Sequence, residues 1–219
     1  MPTDEDFSAD AQPERDFSRL ALLGGRLCLD FVNTVEPRHS TPELHFLTTY
    51  GDLVGWGVRA GALEPTEAAL LRSAAARRPR EAQATYSYAI HVRESIYRIF
   101  SAVIAGRPAD AADLATFDAA LARSLVNLAL VQTGERFSWR FAGEPDALDR
   151  MLWPILRSAA ELLTSDQLAR VAACPNCGWL FVDTSKNHSR RWCSMDACGN
   201  QAKARRHYRR RTGQAPTLG

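Results

Sequence analysis

The chain has 219 residues, of which 46% are apolar and 24% charged, and this composition suits a globular protein of one domain with a small appendage. No uncharged apolar run approaches the roughly 18 residues that span a bilayer, and the acidic beginning lacks the features of a signal peptide. We therefore expect no membrane association and a cytoplasmic location, where thiols stay reduced.

The net charge of +2 conceals a strong segregation of charge. Nine of the 27 basic residues, but only one of the 25 acidic residues, lie between 186 and 211. That segment therefore carries an excess of eight positive charges, while the rest of the chain is acidic. An acidic body with a basic end is typical of proteins that bind polyanions.

The first 165 residues predict an acidic tail followed by a helical domain. Residues 1–16 are polar and acidic, and we expect them to be disordered. From Phe17 the chain turns apolar, and a glycine pair at 24–25 separates an extended piece from a helical segment. Further helices are predicted from apolar spacing, capping residues and prolines. They cover Asp52 to about Gly61, Pro65 to about Arg78, Pro79 to Ala105, Asp110 to Ser124, and Pro145 to Leu163 with a kink at Pro154.

Two short β-structures interrupt this helical pattern. Leu125–Gln132 and Arg136–Ala142 flank a Thr-Gly-Glu turn and predict a hairpin. Residues 179–183 predict a strand that pairs with residues 170–172.

The predicted helix from Pro79 is apolar on two sides, so we expect other helices to surround it.

Four cysteines near the C-terminus have the spacing of a metal site. Cys174 and Cys177 form one close pair, and Cys193 and Cys198 form another. In a reduced compartment, two such pairs favour one structural Zn²⁺ with four sulfur ligands over two disulfides. A redox role for the first pair remains an alternative, as does His188 or His207 in place of one thiol.

The residues after this site predict a basic helix. Ser194 is placed to cap a helix from Met195 to Arg211, which would hold two zinc ligands at its start. The arrangement is treble-clef-like. Ala197, Gln201, Ala204 and Tyr208 share one face and are predicted to cover the aromatic residues Trp179 and Phe181.

Cationic side chains on the flanks of that helix and in the preceding loop are the predicted nucleic-acid contacts. They are Lys186, Arg190, Arg191, Lys203, Arg205, Arg206, Arg209 and Arg210. The alternative is a solvated basic tail. Nothing in this set identifies side chains that would read base sequence.

The segment from Cys174 to Arg211 resembles the CGNR zinc finger. The motif that names this family stands here as Cys198-Gly199-Asn200-Gln201, so glutamine replaces the family arginine. Upstream, Gly24-Gly25-Arg26-Leu27-Cys28-Leu29-Asp30-Phe31-Val32-Asn33-Thr34 is similar to the opening of the ABATE domain, which commonly precedes this finger. The resemblance implies a bacterial transcriptional regulator linked to stress. If the family arginine touches a phosphate, Gln201 weakens one contact.

The predicted fold class is therefore mainly α with a small β-hairpin (α+β). A helical ABATE-like domain at 17–165 precedes a zinc finger at 166–212, and 213–219 form a disordered tail. The predicted function is zinc-dependent DNA binding; RNA or protein binding through the same finger is the alternative. No catalytic motif is present, so we expect no enzyme activity.

A second hypothesis gives the helical domain a ligand or partner to sense. Asp30 and Asn33 are the candidate polar contacts, because they stand in an otherwise apolar segment. The favoured alternative is that both side chains form hydrogen bonds within the chain. Oligomeric state cannot be predicted from the sequence.

Overall fold

The computed structural model of the protein describes residues 15–39 and 42–212, apart from the side chains of residues 209, 210 and 212. The predicted disordered tails at 1–16 and 213–219 lie outside this part of the chain, except for Arg15 and Asp16.

Seven α-helices and six short strands make up the regular structure of the described residues. In chain order they are α1 (Leu27–Val32), β1 (Val35–Glu36), β2 (Leu44–His45), α2 (Tyr50–Arg59), α3 (Pro65–Arg77), α4 (Pro79–Ile104), α5 (Ala111–Leu125), β3 (Leu128–Thr133), β4 (Arg136–Phe141), α6 (Leu152–Leu163), β5 (Val171–Ala173), β6 (Leu180–Val182) and α7 (Asn200–Thr212). A 3-10 helix, Asp166–Arg170, precedes β5, and a π-helical turn, Met195–Gly199, precedes α7. This mainly helical architecture with small strand pairs confirms the predicted fold class.

The helical core is built around α4, as its two apolar sides predict. This helix contacts α1, α2, α3 and α5, and its buried side chains include Val92, Ile96 and Phe100. The short helix α1 lies inside the core, where it packs against α4 and α6. Four of its six residues, Cys28, Leu29, Phe31 and Val32, are completely buried. The first apolar segment of the sequence is therefore the centre of the body.

Two predicted helix starts differ from the observed ones. The cap of α2 is Thr49, whose side chain accepts a hydrogen bond from the Asp52 amide, while the Asp52 carboxylate accepts from the Thr49 amide. Asp52 is thus the third residue of the helix in a capping box. The helix predicted from Pro145 begins only at Leu152, so Pro154 lies in its first turn. Because first-turn amides have no intrahelical acceptor, this proline does not kink the helix, and that prediction is wrong.

The strands form three two-stranded antiparallel sheets in the described residues. Strands β3 and β4 form the predicted hairpin, with Leu128 opposite Phe141. Strands β1 and β2 pair with Val35 opposite His45. Strands β5 and β6 pair with Val171 opposite Val182, as predicted for the segment before the second cysteine pair.

Strand β6 has one face in each of two apolar clusters. Leu180 and Val182 belong to the helical core, whereas Phe181, like the preceding Trp179, packs with the four cysteines near the C-terminus. Successive side chains of a strand point to opposite faces, which explains this division. The C-terminal cysteine segment (residues 166–212, the finger) therefore shares strand β6 with the helical part of the chain before it (residues 17–165, the helical body). Within the described residues, no helix combines the length and apolarity needed to cross a membrane.

Candidate zinc centre and nucleic-acid interface

Four cysteines from two separate segments converge in the C-terminal part of the chain. The Sγ atoms of Cys174, Cys177, Cys193 and Cys198 all lie within 4.8 Å of one another. The Cys193 Sγ is 3.5 Å from the Sγ of Cys177 and 3.5 Å from that of Cys198. A tetrahedral site with Zn–S bonds of about 2.3 Å has S···S edges of about 3.8 Å. The arrangement therefore fits one structural Zn²⁺.

All four cysteine residues are buried, and none forms a disulfide. Among the described residues, neither His188 nor His207 belongs to this group, so four sulfur donors complete the site. Four thiols in contact cannot titrate independently. The side-chain contact between the two thiols lowers the pKa of Cys174 and raises the pKa of Cys177, so Cys177 keeps its proton when Cys174 has lost its own. A divalent cation replaces such protons, because metal ligation requires thiolates.

The first two ligands lie in a tight turn between β5 and β6. The amide of Cys174 donates to the Trp179 carbonyl, and the amide of Gly178 donates to the Cys174 carbonyl, both at 2.8 Å. Gly178 has a φ of +78°, and a Cβ at this position would lie 2.6 Å from the Cβ of Arg38. Glycine is therefore required here by both backbone conformation and space. The Arg38 amide donates to the Cys177 carbonyl, so the helical body also holds this turn.

Of the other two ligands, Cys193 precedes the π-helical turn and Cys198 lies within it. The Ser194 side chain accepts from the Ala197 amide at 3.2 Å, which confirms its predicted capping position. The Gly199 amide donates to the Ser194 carbonyl across five residues, and this wider turn holds Cys198 beside Cys193. The last helix, α7, then continues from Asn200.

Helix α7 is exposed to solvent along most of its described length. Gln201, Ala204 and Tyr208 are exposed, and among the described side chains of α7 none is buried. The prediction that this face covers Trp179 and Phe181 is therefore wrong. The helical body covers these aromatic residues instead. Trp179 donates from Nε1 to the Val35 carbonyl at 2.8 Å. Leu20 and Leu23, in the segment before α1 (residues 15–26, the N-terminal segment), pack on the cysteine cluster.

Asn176, in the first cysteine turn, connects that turn to α7. Its Nδ2 donates to the Gln201 Oε1 at 3.2 Å, and its Oδ1 accepts from the Arg205 guanidinium at 3.0 Å. Gln201, which replaces the motif arginine, thus contacts the other half of the finger. Sequence reasoning missed Asn176, since only the folded turn brings it beside α7.

Most of the predicted nucleic-acid contacts are solvent-exposed. Lys186, Arg191, Lys203, Arg205 and Arg206 are exposed, and none forms an ion pair with a carboxylate of the described residues. Helix α7 contains no acidic residue. The side chains of Arg209 and Arg210 lie outside the described part of the structure.

Arg190 occupies a different environment from the other predicted contacts. Its guanidinium donates to the carbonyls of Trp192, Leu23 and Cys193 at 3.2, 3.3 and 2.5 Å, and it lies over the Phe181 ring. These bonds join the N-terminal segment to the finger. The structure thus gives Arg190 a positioning role within the chain, and its contact with nucleic acid stays a prediction.

The loop that carries Lys186 is fixed by Asp183, another residue that sequence reasoning missed. The buried carboxylate accepts from the amides of Ser185 at 2.8 Å and Arg190 at 3.0 Å. The hydrogen bonds from Ser185 hold the pKa of Asp183 below its usual value. An aspartate that bonds two residues ahead is an Asx-turn, so the Asp-Thr-Ser sequence was the available signal.

Asp30 and Asn33 both use their polar atoms within the chain. Asp30 Oδ1 accepts from the Gly24 amide at 2.8 Å, and burial raises the pKa of Asp30 to about 6. The Asn33 side chain exchanges two hydrogen bonds with the backbone of Leu180. These hydrogen bonds within the chain are the alternative that the sequence favoured for both residues. Ligand binding by the two residues stays a prediction.

Comparison with known families agrees with this architecture. The ABATE family, described as "Putative stress-induced transcription regulator", matches residues 25–166. The CGNR zinc finger matches residues 170–211. No curated protein matches the chain.

Proposed function

Because the chain belongs to the ABATE family and carries a CGNR zinc finger, we propose that this regulator acts by zinc-dependent binding to duplex DNA. The observation that carries the proposal is α7: an exposed helix with no acidic residue, attached to a zinc site. By its family description we further propose a role in bacterial stress responses, in the cytoplasm.

The geometry of α7 suits a polyanion. Its 13 residues span about 20 Å. An α-helix with its side chains is about 10–12 Å in diameter, so α7 fits the major groove, which is about 12 Å wide. Lys203 and Arg206 lie three residues apart and share one flank, and Arg205 lies on the other. Phosphates on both sides of a groove could therefore be neutralised together.

Zinc is required because α7 has few other attachments. Apart from the bonds of Asn176, the helix contacts chiefly the π-helical turn that carries Cys198. Loss of the metal would release this turn, and the orientation of α7 with its cationic side chains would no longer be fixed. A fully thiolate-ligated zinc has no open position, which supports a binding role without catalysis.

Fluorescence anisotropy with a labelled duplex, measured at several salt concentrations, tests the proposal. Neutralisation of about five phosphates predicts a slope of log K against log salt near −4 to −5. A chelator should abolish binding, and re-addition of Zn²⁺ should restore it. Failure of the zinc-loaded protein to bind duplex DNA at low salt would reject the proposal.

The same experiment separates the alternative targets of the finger. Unlabelled duplex DNA, single-stranded DNA and RNA are added as competitors. Duplex DNA should compete most strongly if α7 enters the major groove. Stronger competition by RNA would show that RNA is the preferred target.

We also propose that the helical body regulates the finger in response to a ligand or partner, since the two share β6.

A further inference from the structure

A cavity of about 470 Å³ lies between the N-terminal segment and the zinc finger. Its walls are mostly apolar and include Phe17, Leu20, Leu23, Phe46 and Trp179. Small-molecule sites in proteins have volumes of about 300–1,000 Å³ and are lined mainly by apolar and aromatic groups with a few polar ones. In size and lining, this cavity resembles a small-molecule site.

The polar group that distinguishes the cavity is Glu36. Its side chain is half-buried, and its carboxylate forms no hydrogen bond or ion pair with any of the described residues. Removing a carboxylate from water without a partner is unfavourable. A bound cation or N–H donor would offset that cost.

The cysteine ligands reinforce the negative character of the cavity. Cys193 and Cys198 form part of its lining. Four thiolates outweigh the charge of one Zn²⁺, so the loaded site is a net negative centre.

Two arginines line the cavity, and neither forms an ion pair with Glu36. Arg15 donates to the carbonyls of His45 and Phe46 at 3.2 and 3.4 Å and lies 4.0 Å from Asp52. Its charge is therefore directed elsewhere. Arg19 also lines the cavity, but it is solvent-exposed. The remaining charged residue, Asp16, is acidic and accepts from the Ser18 amide.

We propose that this cavity binds an apolar organic cation, such as an aromatic amine, with its charge on Glu36 and its rings against Phe17, Phe46 and Trp179. Aromatic faces attract organic cations, so both parts of the site select the same ligand. Binding itself does not depend on the proposed DNA function.

The cavity also offers a route from ligand to finger. Ser194 and Ala197 line it and begin the turn that leads to α7. A ligand held between this turn and the N-terminal segment would restrain the direction of α7. This consequence rests on the proposed DNA binding, whereas ligand binding can be measured without DNA.

Isothermal titration of the zinc-loaded full chain with charge-matched probes tests the inference. Tryptamine is compared with indole-3-propionate, and tetraphenylphosphonium with tetraphenylborate, because each pair has one shape and opposite charges. At least one cation should bind about tenfold more tightly than its matched anion. No binding by either cation at about 5 mM, or equal binding of cation and anion in both pairs, would overturn the proposal.

Variants locate the binding. Glu36→Gln should weaken cation binding about tenfold and remove the preference for cations, while Glu135→Gln, in the exposed hairpin turn, should leave both unchanged. Ala21 is exposed and lines the cavity, so Ala21→Trp should fill the space and block both cations even if Glu36→Gln folds poorly. Unchanged cation binding in a zinc-loaded Glu36→Gln or Ala21→Trp variant would contradict the assignment.

Discussion

The side-chain amide of Asn33 forms hydrogen bonds with both backbone groups of Leu180, as the backbone of a neighbouring strand would. Its Nδ2 donates to the Leu180 carbonyl at 2.8 Å, and its Oδ1 accepts from the Leu180 amide at 2.9 Å. Both residues are buried, and 147 positions separate them. This pair of bonds therefore fastens the end of α1, in the helical core, to the finger strand β6.

Asn33→Ala should destabilise the whole protein. The change leaves a buried amide and a buried carbonyl of Leu180 without partners, at a cost of about 2–4 kcal/mol in the free energy of unfolding. Urea denaturation of the zinc-loaded protein measures this loss. Asn187→Ala, in the exposed loop of the finger, is the matched control and should cost less than about 0.5 kcal/mol. Equal effects of the two variants would show that the Asn33 bonds contribute nothing.

The purified protein should contain one zinc ion per chain. Cys177→Ala should lose the metal, because three thiols cannot close a tetrahedral structural site. Cys28→Ala should keep it, since Cys28 is buried in the helical core, away from the cluster. Elemental analysis of the three proteins checks the stoichiometry. Full zinc content in Cys177→Ala would contradict the four-sulfur site.

Asp30 should make stability depend on pH. Burial raises its folded pKa to about 6, above the value of about 3.9 in an unfolded chain. The folded protein therefore binds the extra proton, and the resulting stability is lost as pH rises through 6. Asp30→Asn keeps an acceptor for the Gly24 amide but cannot titrate. From pH 5 to 8, the unfolding free energy of the wild type should fall by about 1 kcal/mol relative to this variant. Parallel urea curves across this range measure the change, and a constant difference would exclude it.

Arg190 and Lys186 should respond differently to loss of charge. Arg190→Gln removes donors to the carbonyls of Leu23, Trp192 and Cys193, so it should lower the melting temperature by several degrees. Lys186→Gln should leave the melting temperature unchanged, because this side chain is exposed and has no such bonds. Differential scanning fluorimetry compares the two. If only Lys186→Gln melts early, the roles assigned to these residues are reversed.

The flank of α7 should set the salt dependence of DNA binding. The double variant Lys203→Gln and Arg206→Gln should reduce the magnitude of the salt slope by about 2, since each phosphate contact contributes about 1. The double variant Arg136→Gln and Arg140→Gln removes two exposed charges from β4 and serves as its control. Anisotropy titrations at four salt concentrations give both slopes. Equal slopes would mean that the contacts lie elsewhere.

Local chemistry made much of the fold predictable. The cysteine spacing identifies four zinc ligands without any knowledge of their surroundings, because the chemistry needs only those thiols at that spacing. Proline at a first helical position correctly begins α3 and α4 at Pro65 and Pro79. The two errors at helix starts also have local causes. Asp52 can act as a cap or as the third residue of a capping box. Proline favours turns as well as first helical positions, and Pro145 lies in a turn before α6.

Long-range contacts explain what the sequence could not show. Helical spacing predicts that Ala204 and Tyr208 share a face, but spacing alone does not show whether another element already covers Trp179. Likewise, the charge of Arg190 is visible in the sequence, whereas the carbonyl of Leu23 that it contacts is 167 positions away. A charge pattern predicts a basic surface, and only packing separates its exposed members from those used internally.

The two-sided strand β6 has a consequence for how such a finger can be inherited. A fragment that starts at residue 170 would retain every sulfur ligand but expose Leu180 and Val182 to water, and the helical fragment left behind would lose the partner of Asn33. Transplanting the finger onto another scaffold thus requires a recipient surface that buries Leu180 and Val182. Recombination should then preserve the two halves together, and their melting should be a single cooperative event.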